Sequence, residues 1–256
     1  MAGPLPHTSE VQAMTVKYLD DALAIISTQF RRLQELSEFR AIYRVCLAGD
    51  AALSKLQSKR MRPSLKAARS IVRRIPLIVA VRQLAVGRIE LRRFIELLFW
   101  TTYFTDHPIE WANFESNPKG GYGKSIDNPI SFCARRESAF YANYAKERMK
   151  GEPSGLGADA VDWLRRALRE LNSIVHPGGI ATSKLRIPPF EGVGKDALVE
   201  FSKSLRGVLG QGCTLAAAIN RRGFDRLPPM HRAHLDWLIG TENSKKLRKG
   251  AFGLRG

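Results

Sequence analysis

Arg169 and His176 are two side chains that together can cleave RNA without a metal ion, and they lie seven positions apart. On a helix this spacing is almost two turns, so both residues share one face with ~10 Å of rise between them. Histidine can move a proton to or from a ribose hydroxyl, and arginine can stabilise negative charge on the phosphate. Asn172 lies between them on the same face. The spacing predicts a catalytic row in which His176 transfers the proton, Arg169 stabilises the phosphate and Asn172 positions the substrate.

A purely structural interpretation of the same row stays open. His176 would then end the helix and cap its last carbonyl groups, and Arg169 would form a surface ion pair. The neighbouring stripe of Leu164, Leu168 and Leu171 is apolar and is predicted to face the core. The polar row is therefore one residue out of phase with the packing face of this helix.

The charge of the chain points to a polyanionic partner. Its 256 residues include 41 Lys and Arg against 24 Asp and Glu, a net charge of +17. Such an excess favours nucleic acid, and we expect RNA rather than DNA. Residues 59–93 hold eleven of the basic residues and a single acid, Glu90, so this segment predicts a phosphate-contacting surface. A solvated basic face, or pairing with acidic residues elsewhere, is the alternative. The residues predicted to contact nucleic acid are Arg62, Lys66, Arg69, Arg73, Arg74, Arg92, Arg93, Lys124 and Arg165.

Three further motifs favour ordinary structure over chemistry. The glycine-rich stretch before Lys124 ends like a phosphate-binding loop, but no strand precedes it, so we expect a loop whose lysine contacts phosphate. Residues 105–111 hold an Asp, a His and a Glu that can bind a divalent metal, although a helix end capped by His107 is the commoner arrangement. His231 and His234 lack a third ligand nearby and are interpreted as helix-surface residues. No metal or cofactor is expected.

Apolar residues at helical spacing cover most of the chain, and strand patterns are nearly absent. The first stripe, from Leu19 to Cys46, predicts one long helix over 9–48 that stops at Gly49. The sequence thus predicts an all-α helical bundle of about six to eight helices. We expect three segments: residues 1–60 form a long helix that packs on the core, residues 61–220 form the core, and residues 221–256 form a short helix and a tail. Later helices are expected over 63–74, ended or kinked by Pro76, and over 88–104, 128–150, 159–175, 196–219 and 229–240, before a loose basic tail at 245–249.

The run from Arg169 to His176, on a late helix of an all-α domain, resembles the R-x-x-x-x-H-type signature of HEPN-domain proteins. The aromatic-rich stretch 90–100 is similar to the helix before that signature, and 171–178 is similar to its "VHG"-type helix end. The resemblance covers residues 85–180 and implies a HEPN-like core. It also implies a ribonuclease of a bacterial defence or toxin–antitoxin system that acts as a dimer with a composite site, with Arg169 and His176 as the catalytic match.

Three functions follow as hypotheses. The first is a metal-independent endoribonuclease of a bacterial defence or toxin system. The second is a non-catalytic nucleic-acid-binding adaptor in a larger defence or nucleoprotein complex. It stays open because the six intervening residues, Glu170 after the arginine and Pro177 after the histidine depart from the HEPN pattern. The third is an interaction protein whose basic patches meet an acidic partner. A homodimer or a larger protein complex is expected.

Cysteine usage and apolar runs predict the compartment. Cys46, Cys133 and Cys213 are far apart and form no CxxC pair, which is typical of free thiols in a reducing compartment. No secretory signal is evident, and the longest apolar run, 75–81, is far shorter than the ~20 residues that span a bilayer. We therefore expect a cytoplasmic protein without a membrane partner. All four tryptophans are predicted to be core residues: Trp100, Trp111, Trp163 and Trp237.

Overall fold

The structure is a computed structural model that describes residues 36–56, 62–81, 83–116, 156–175 and 194–252, with single positions between 20 and 31 and at 129 and 132. Within these residues the chain forms nine helices and no strand. The all-α prediction is confirmed, and the number of helices exceeds the six to eight expected. The helices are α1 (Ser37–Lys55), α2 (Arg62–Ala80), α3 (Leu84–Asp106), α4 (Pro108–Ser116), α5 (Leu156–Val175), α6 (Lys195–Ile219), α7 (Arg221–Asp225), α8 (Pro229–Ile239) and α9 (Thr241–Phe252).

Helix α6 is central to the described part of the chain, because α1, α3, α5, α7 and α8 all pack against it. Its buried residues point in nearly every direction around the helix axis and include Phe201, Leu209 and Cys213. A helix that is apolar almost all round is stable only when other helices surround it. Helix α2 packs against α1 and α3, and α9 packs against α8.

One hydrophobic core joins all three predicted segments. Phe39 and Leu53 come from the first segment, Phe94 from the second, and Leu235 and Leu247 from the third. All five are buried in the same cluster, with exposures between 0% and 3%. Burial of large apolar side chains is the main stabilising contribution in such a bundle. The helix of the first segment and the helices of the third are therefore part of the same packed unit as the middle of the chain.

The prediction of one long helix over 9–48 that stops at Gly49 is wrong. Leu36 is extended, with φ −77° and ψ 126°, so α1 begins at Ser37. The helix also continues past Gly49 to Lys55. A Cβ atom at Gly49 would lie 2.9 Å from Cδ1 of Leu209 on α6, so this glycine permits close helix packing and does not end the helix.

The sequence predicts that Pro76 ends or kinks this helix, and it does not end it, because α2 runs through Pro76 to Ala80. Proline removes one backbone hydrogen bond from a helix interior and costs about 3 kcal/mol there. Ile75, Val79 and Ala80 are all buried in the core. We infer that their burial offsets the loss at Pro76, since tertiary packing contributes more to helix stability than local propensity does.

The basic tail at 245–249 is helical and not loose. It forms part of α9, whose Leu247 is fully buried. Asp236 of α8 fixes this helix through two contacts, accepting hydrogen bonds from Ser244 Oγ and from Arg248 Nη2, the latter at 2.8 Å. Packing and these polar contacts order a segment whose charge alone suggested mobility.

The helix predicted over 128–150 lies outside the described residues, except that positions 129 and 132 are helical. The other predicted helices are confirmed, with ends shifted by a few residues. None of the helices in the described stretches has both the length and the apolarity needed to cross a bilayer.

Candidate nucleic-acid interface

Helix α5 has the two faces that its sequence predicts. Leu164, Leu168 and Leu171 are buried, with exposures of 0%, 2% and 6%, and pack in the core beside α3 and α6. Arg169 is exposed and Arg165 is half-buried at the edge of the packed face. The 3.6-residue period of the helix thus places the basic side chains along the border between core and solvent.

A cleft of about 590 Å³ lies between α5 and α6, and most of the side chains around it are charged. Gly207 of α6 lets the indole ring of Trp163 lie close against the helix, since a Cβ there would be only 2.6 Å from Cη2 of that ring. The tryptophan forms one wall of the cleft. The residues that line it are Asp159, Asp162, Trp163, Arg165, Arg166, Arg169 and Gln211.

The three arginines of this cleft are free to bind an anion. Among the described residues, Arg165, Arg166 and Arg169 form no ion pair and no side-chain hydrogen bond. Asp159 and Asp162 line the same cleft, and both have interactions of their own. Guanidinium groups present several donors in a plane and match the geometry of a phosphate group. The cleft therefore offers three guanidiniums to one phosphate-bearing ligand.

A second cleft of about 300 Å³ continues this surface towards α8. Gln211 lines both clefts, and Lys203 and Arg206 bring two more positive charges to the second one. Arg206 also lies over the ring of Trp237, 4.7 Å from its centroid, and donates a hydrogen bond to the carbonyl oxygen of that residue. The two clefts together form one basic surface across α5, α6 and α8.

Part of the basic row predicted on α2 is paired with an acidic residue. Asp50 of α1 accepts hydrogen bonds from Nε of Arg69 at 2.7 Å and from Nη2 of Arg73 at 3.0 Å. Burial alone would raise the pKa of Asp50, but the hydrogen bonds and charges of the two arginines outweigh burial and hold this pKa below its ordinary value. Arg62 and Lys66 are exposed, and in the described part of the chain no carboxylate pairs with either.

Acidic residues also hold the remaining predicted cations near α3. Glu90 is bonded to Arg74 and Arg93, each at 3.3 Å or less, and Glu96 pairs with Arg92 at 2.9 Å. Asp50, Glu90 and Glu96 thus offset three of the seven positive charges predicted to contact nucleic acid on α2 and α3, which leaves a net charge of +4 on this set. Pairing with acids, which was the alternative interpretation of the basic segment, is correct for five of these seven residues.

Of the remaining predicted site residues, the structure describes Asn172 but not His176 or Lys124. Asn172 is half-buried, and its Oδ1 atom is shielded from solvent without a hydrogen-bond partner among the described residues. His176 and Lys124 both lie outside the described residues. The structure thus brings Arg165 and Arg169 together at one cleft, and it does not place the histidine.

The four tryptophans are not core residues, contrary to the prediction. Each is only half-buried or, in the case of Trp237, 37% exposed. The large rings of Trp100, Trp111 and Trp163 lie at the edges of clefts, where one side is packed and the other faces solvent. His107 does cap a carbonyl group, as predicted, with Nδ1 2.8 Å from the oxygen of Tyr103.

Two of the three cysteines are free and buried. Burial raises the pKa of both Cys46 and Cys213 to about 12. Cys133 lies outside the described residues. Within the residues that the structure describes, no three His, Cys, Asp or Glu side chains come together as a metal site.

Comparison with known proteins gives no relative. No family model, curated protein or solved structure matches the chain. The site rests on its own geometry, and sequence reasoning missed several of its members: Trp163, Arg166, Lys203, Arg206 and Gln211. The glycines at 207 and 210 on α6 were the available signal, because small residues on a helix indicate where a neighbouring group approaches closely.

Proposed function

We propose that this protein binds nucleic acid, with RNA favoured over DNA, and that the cleft between α5 and α6 holds the phosphate backbone. The observation that carries the proposal is that three arginines line one cleft and pair with no acid in the described part of the chain: Arg165, Arg166 and Arg169. Guanidiniums engaged by carboxylates must give up a partner before they bind phosphate, whereas unpaired ones do not. Lys203 and Arg206 extend the same basic surface, along which a bound nucleic-acid strand would continue.

Cleavage of the bound RNA is the finer proposal. Arg169 is exposed at the cleft and suits the stabilisation of charge on a scissile phosphate. His176, one residue beyond α5 in the chain, would transfer the proton, as the resemblance to HEPN-domain proteins implies. In this proposal the protein is a metal-independent endoribonuclease of a bacterial defence or toxin system.

The binding proposal is tested with two double variants that remove equal charge. Arg165→Gln/Arg169→Gln removes two unpaired cations from the cleft. Arg73→Gln/Arg74→Gln removes two paired and exposed cations, and Asp50 and Glu90 each keep another arginine. Affinity for a short unstructured RNA is measured over a series of salt concentrations.

We expect the cleft variant to bind RNA about tenfold more weakly or worse, and the matched variant to bind nearly as wild type does. The slope of log affinity against log salt concentration should fall by about 1.4 in the cleft variant, since each contact to a single strand contributes about 0.7. An unchanged slope in a folded cleft variant refutes the proposal. A larger loss of RNA affinity in the matched variant would show that the interface lies on α2 instead.

A further inference from the structure

Trp163 differs from the other three tryptophans in what lies against its ring. The rings of Trp100 and Trp111 each contact a phenylalanine, with centroids 5.3 and 5.2 Å apart. A guanidinium lies over the ring of Trp237, 4.7 Å from its centroid. Within the described residues, no aromatic ring and no cation is stacked on Trp163. This indole therefore keeps the capacity to pair with the flat ring of a ligand.

The packing of Trp163 fixes the position of its ring. Part of the side chain packs against the hydrophobic core, and part of it forms a wall of the cleft between α5 and α6. A Cβ atom at Gly207 would lie 2.6 Å from Cη2 and 2.7 Å from Cζ2 of the indole, so one ring edge rests against the backbone of α6. A ring that is already held in place loses little conformational freedom when a second ring stacks on it. Trp163 is therefore a preformed platform for a flat group.

The charges along α5 orient a nucleotide at this platform. Asp159 and Asp162 come before Trp163 in the helix, and Arg166 and Arg169 come after it, with rises of ~4.5 and ~9 Å along the axis. All four charged residues line the cleft. Carboxylates repel a phosphate and guanidiniums bind it, so the phosphate lies on the C-terminal side of Trp163. The base then reaches the indole ring.

Gln211 lies at the edge of the same platform. It is one turn of α6 beyond Gly207, is half-buried, and lines the cleft. Within the described part of the chain, its amide forms no hydrogen bond. An amide group can both donate and accept, so it can bind the edge of any of the bases. Stacking and an adaptable amide together favour recognition of an unpaired base over recognition of one particular sequence.

We propose that the cleft selects single-stranded nucleic acid, by stacking one unpaired base on Trp163 while the edge of that base meets Gln211. Inside a duplex, the neighbouring base pairs cover both faces of each base, so none is available to the indole ring. This inference rests on the proposed function and names the substrate class of the same site. Loss of one base–aromatic stack weakens binding by roughly 5- to 100-fold, which is large enough to measure.

The test compares three ligands that carry the same number of phosphates: a short unstructured RNA, an abasic strand with the same ribose-phosphate backbone, and a duplex. Trp163→Leu removes the stacking face and keeps an apolar side chain beside Gly207. Trp163→Phe keeps an aromatic face. Trp111→Leu on α4 is the matched control, because this half-buried tryptophan lies outside both basic clefts. Fluorescence anisotropy measures each affinity over a series of salt concentrations.

We expect wild type and Trp111→Leu to bind the RNA at least about fivefold more tightly than the abasic strand, and more tightly than the duplex. Trp163→Leu should bind the RNA and the abasic strand equally, whereas Trp163→Phe should keep most of the preference for bases. The slope of log affinity against log salt concentration should be the same in Trp163→Leu as in wild type, because no phosphate contact is lost. A purely structural role of Trp163 would change this slope as well, since the arginines of α5 would move.

Equal affinity of wild type for the RNA and the abasic strand overturns the proposal. A preference for bases that persists in folded Trp163→Leu also overturns it, because the stacking group is then another residue. If the Arg165→Gln/Arg169→Gln variant lowers the salt slope while wild type does not distinguish the two strands, the proposed function stands and this inference alone fails. Absence of binding to all three ligands refutes both. If Trp163→Leu does not fold, the comparison of the RNA with the abasic strand on wild type and on Trp163→Phe decides.

Discussion

Arg69 donates a hydrogen bond from Nε to Oδ1 of Asp50 at 2.7 Å, and this contact joins α2 to α1. Both side chains are 19% exposed, so the pair is largely shielded from solvent. A charge-assisted bond in such surroundings is stronger than a surface ion pair, and removing one partner leaves the other buried and uncompensated. A basic residue predicted to contact phosphate is therefore part of the fold.

Asp50→Asn is expected to destabilise the protein by about 1.5–3 kcal/mol near neutral pH, the usual contribution of hydrogen bonds to a charged group. Because the folded pKa of Asp50 is lowered, this contribution is present above the ordinary value of 3.8 and is lost as pH falls through the folded value. Urea unfolding of both proteins between pH 7 and pH 2 measures the difference.

The control for this prediction is Glu200→Gln. Glu200 is 75% exposed and pairs with Arg88, so its loss should cost less than about 1 kcal/mol at any pH. If the Asp50→Asn difference is the same at all pH values, the ionised pair does not stabilise the contact between α1 and α2.

Gly212→Ala is expected to disrupt the packing of α6 against α3. A Cβ there would lie 2.7 Å from Cδ1 of Leu98 and 2.9 Å from Cε1 of Phe94, and both neighbours are buried. Overpacking costs about 1–3 kcal/mol, against about 1 kcal/mol that alanine returns through helix propensity. We expect a net loss of up to about 2 kcal/mol in chemical denaturation.

Gly194→Ala serves as the comparison, because no atom of the described residues lies within 4 Å of a Cβ at that position. Gly194 is the N-cap of α6, where glycine is preferred over alanine, so its substitution should cost no more than about 1 kcal/mol. Equal stability of the two variants would mean that α3 moves to accommodate the methyl group.

The buried thiols should not react in the folded protein. Cys133→Ser leaves Cys46 and Cys213, whose pKa values of about 12 keep them protonated at pH 8. We expect no reaction of the folded variant with Ellman's reagent over minutes and reaction of both thiols after guanidinium unfolding. Rapid labelling before unfolding would show that α1 or α6 opens readily.

His176→Ala tests the finer part of the proposed function. General acid–base catalysis contributes about 10²–10⁴-fold, so cleavage of RNA in EDTA should fall by at least about 100-fold while RNA affinity is unchanged. Circular dichroism establishes that the variant is folded. Cleavage that persists in this variant excludes His176 as the proton-transfer residue. Binding without cleavage by wild type assigns the protein to the adaptor class.

The all-α class and most helix positions were predictable, because apolar residues that recur every three or four positions indicate which face of a helix is buried. Helix ends were less predictable where packing opposes the local signal. Pro76 and Gly49 both lie inside helices because their neighbours are buried against other helices. Local sequence contains no information about those neighbours.

The candidate site was predictable in part. The periodicity of α5 gave Arg165 and Arg169, which do line one cleft. It did not give Gln211, because that residue comes from a helix more than forty positions away in the chain. Nor did charge counting separate free cations from paired ones. That distinction depends on where distant carboxylates such as Asp50 lie in the fold.

The central position of α6 has a consequence for the synthesis of this protein on the ribosome. Gly49 packs against Leu209, which the ribosome adds 160 residues later. At a translation rate of about 5–20 residues per second, the packing face of α1 stays without Leu209 for roughly 8–32 s. During this interval the emerging chain exposes the apolar faces of α1, α3 and α5 with no central helix to cover them. A chain cut short before residue 195 lacks the helix against which α1, α3 and α5 pack.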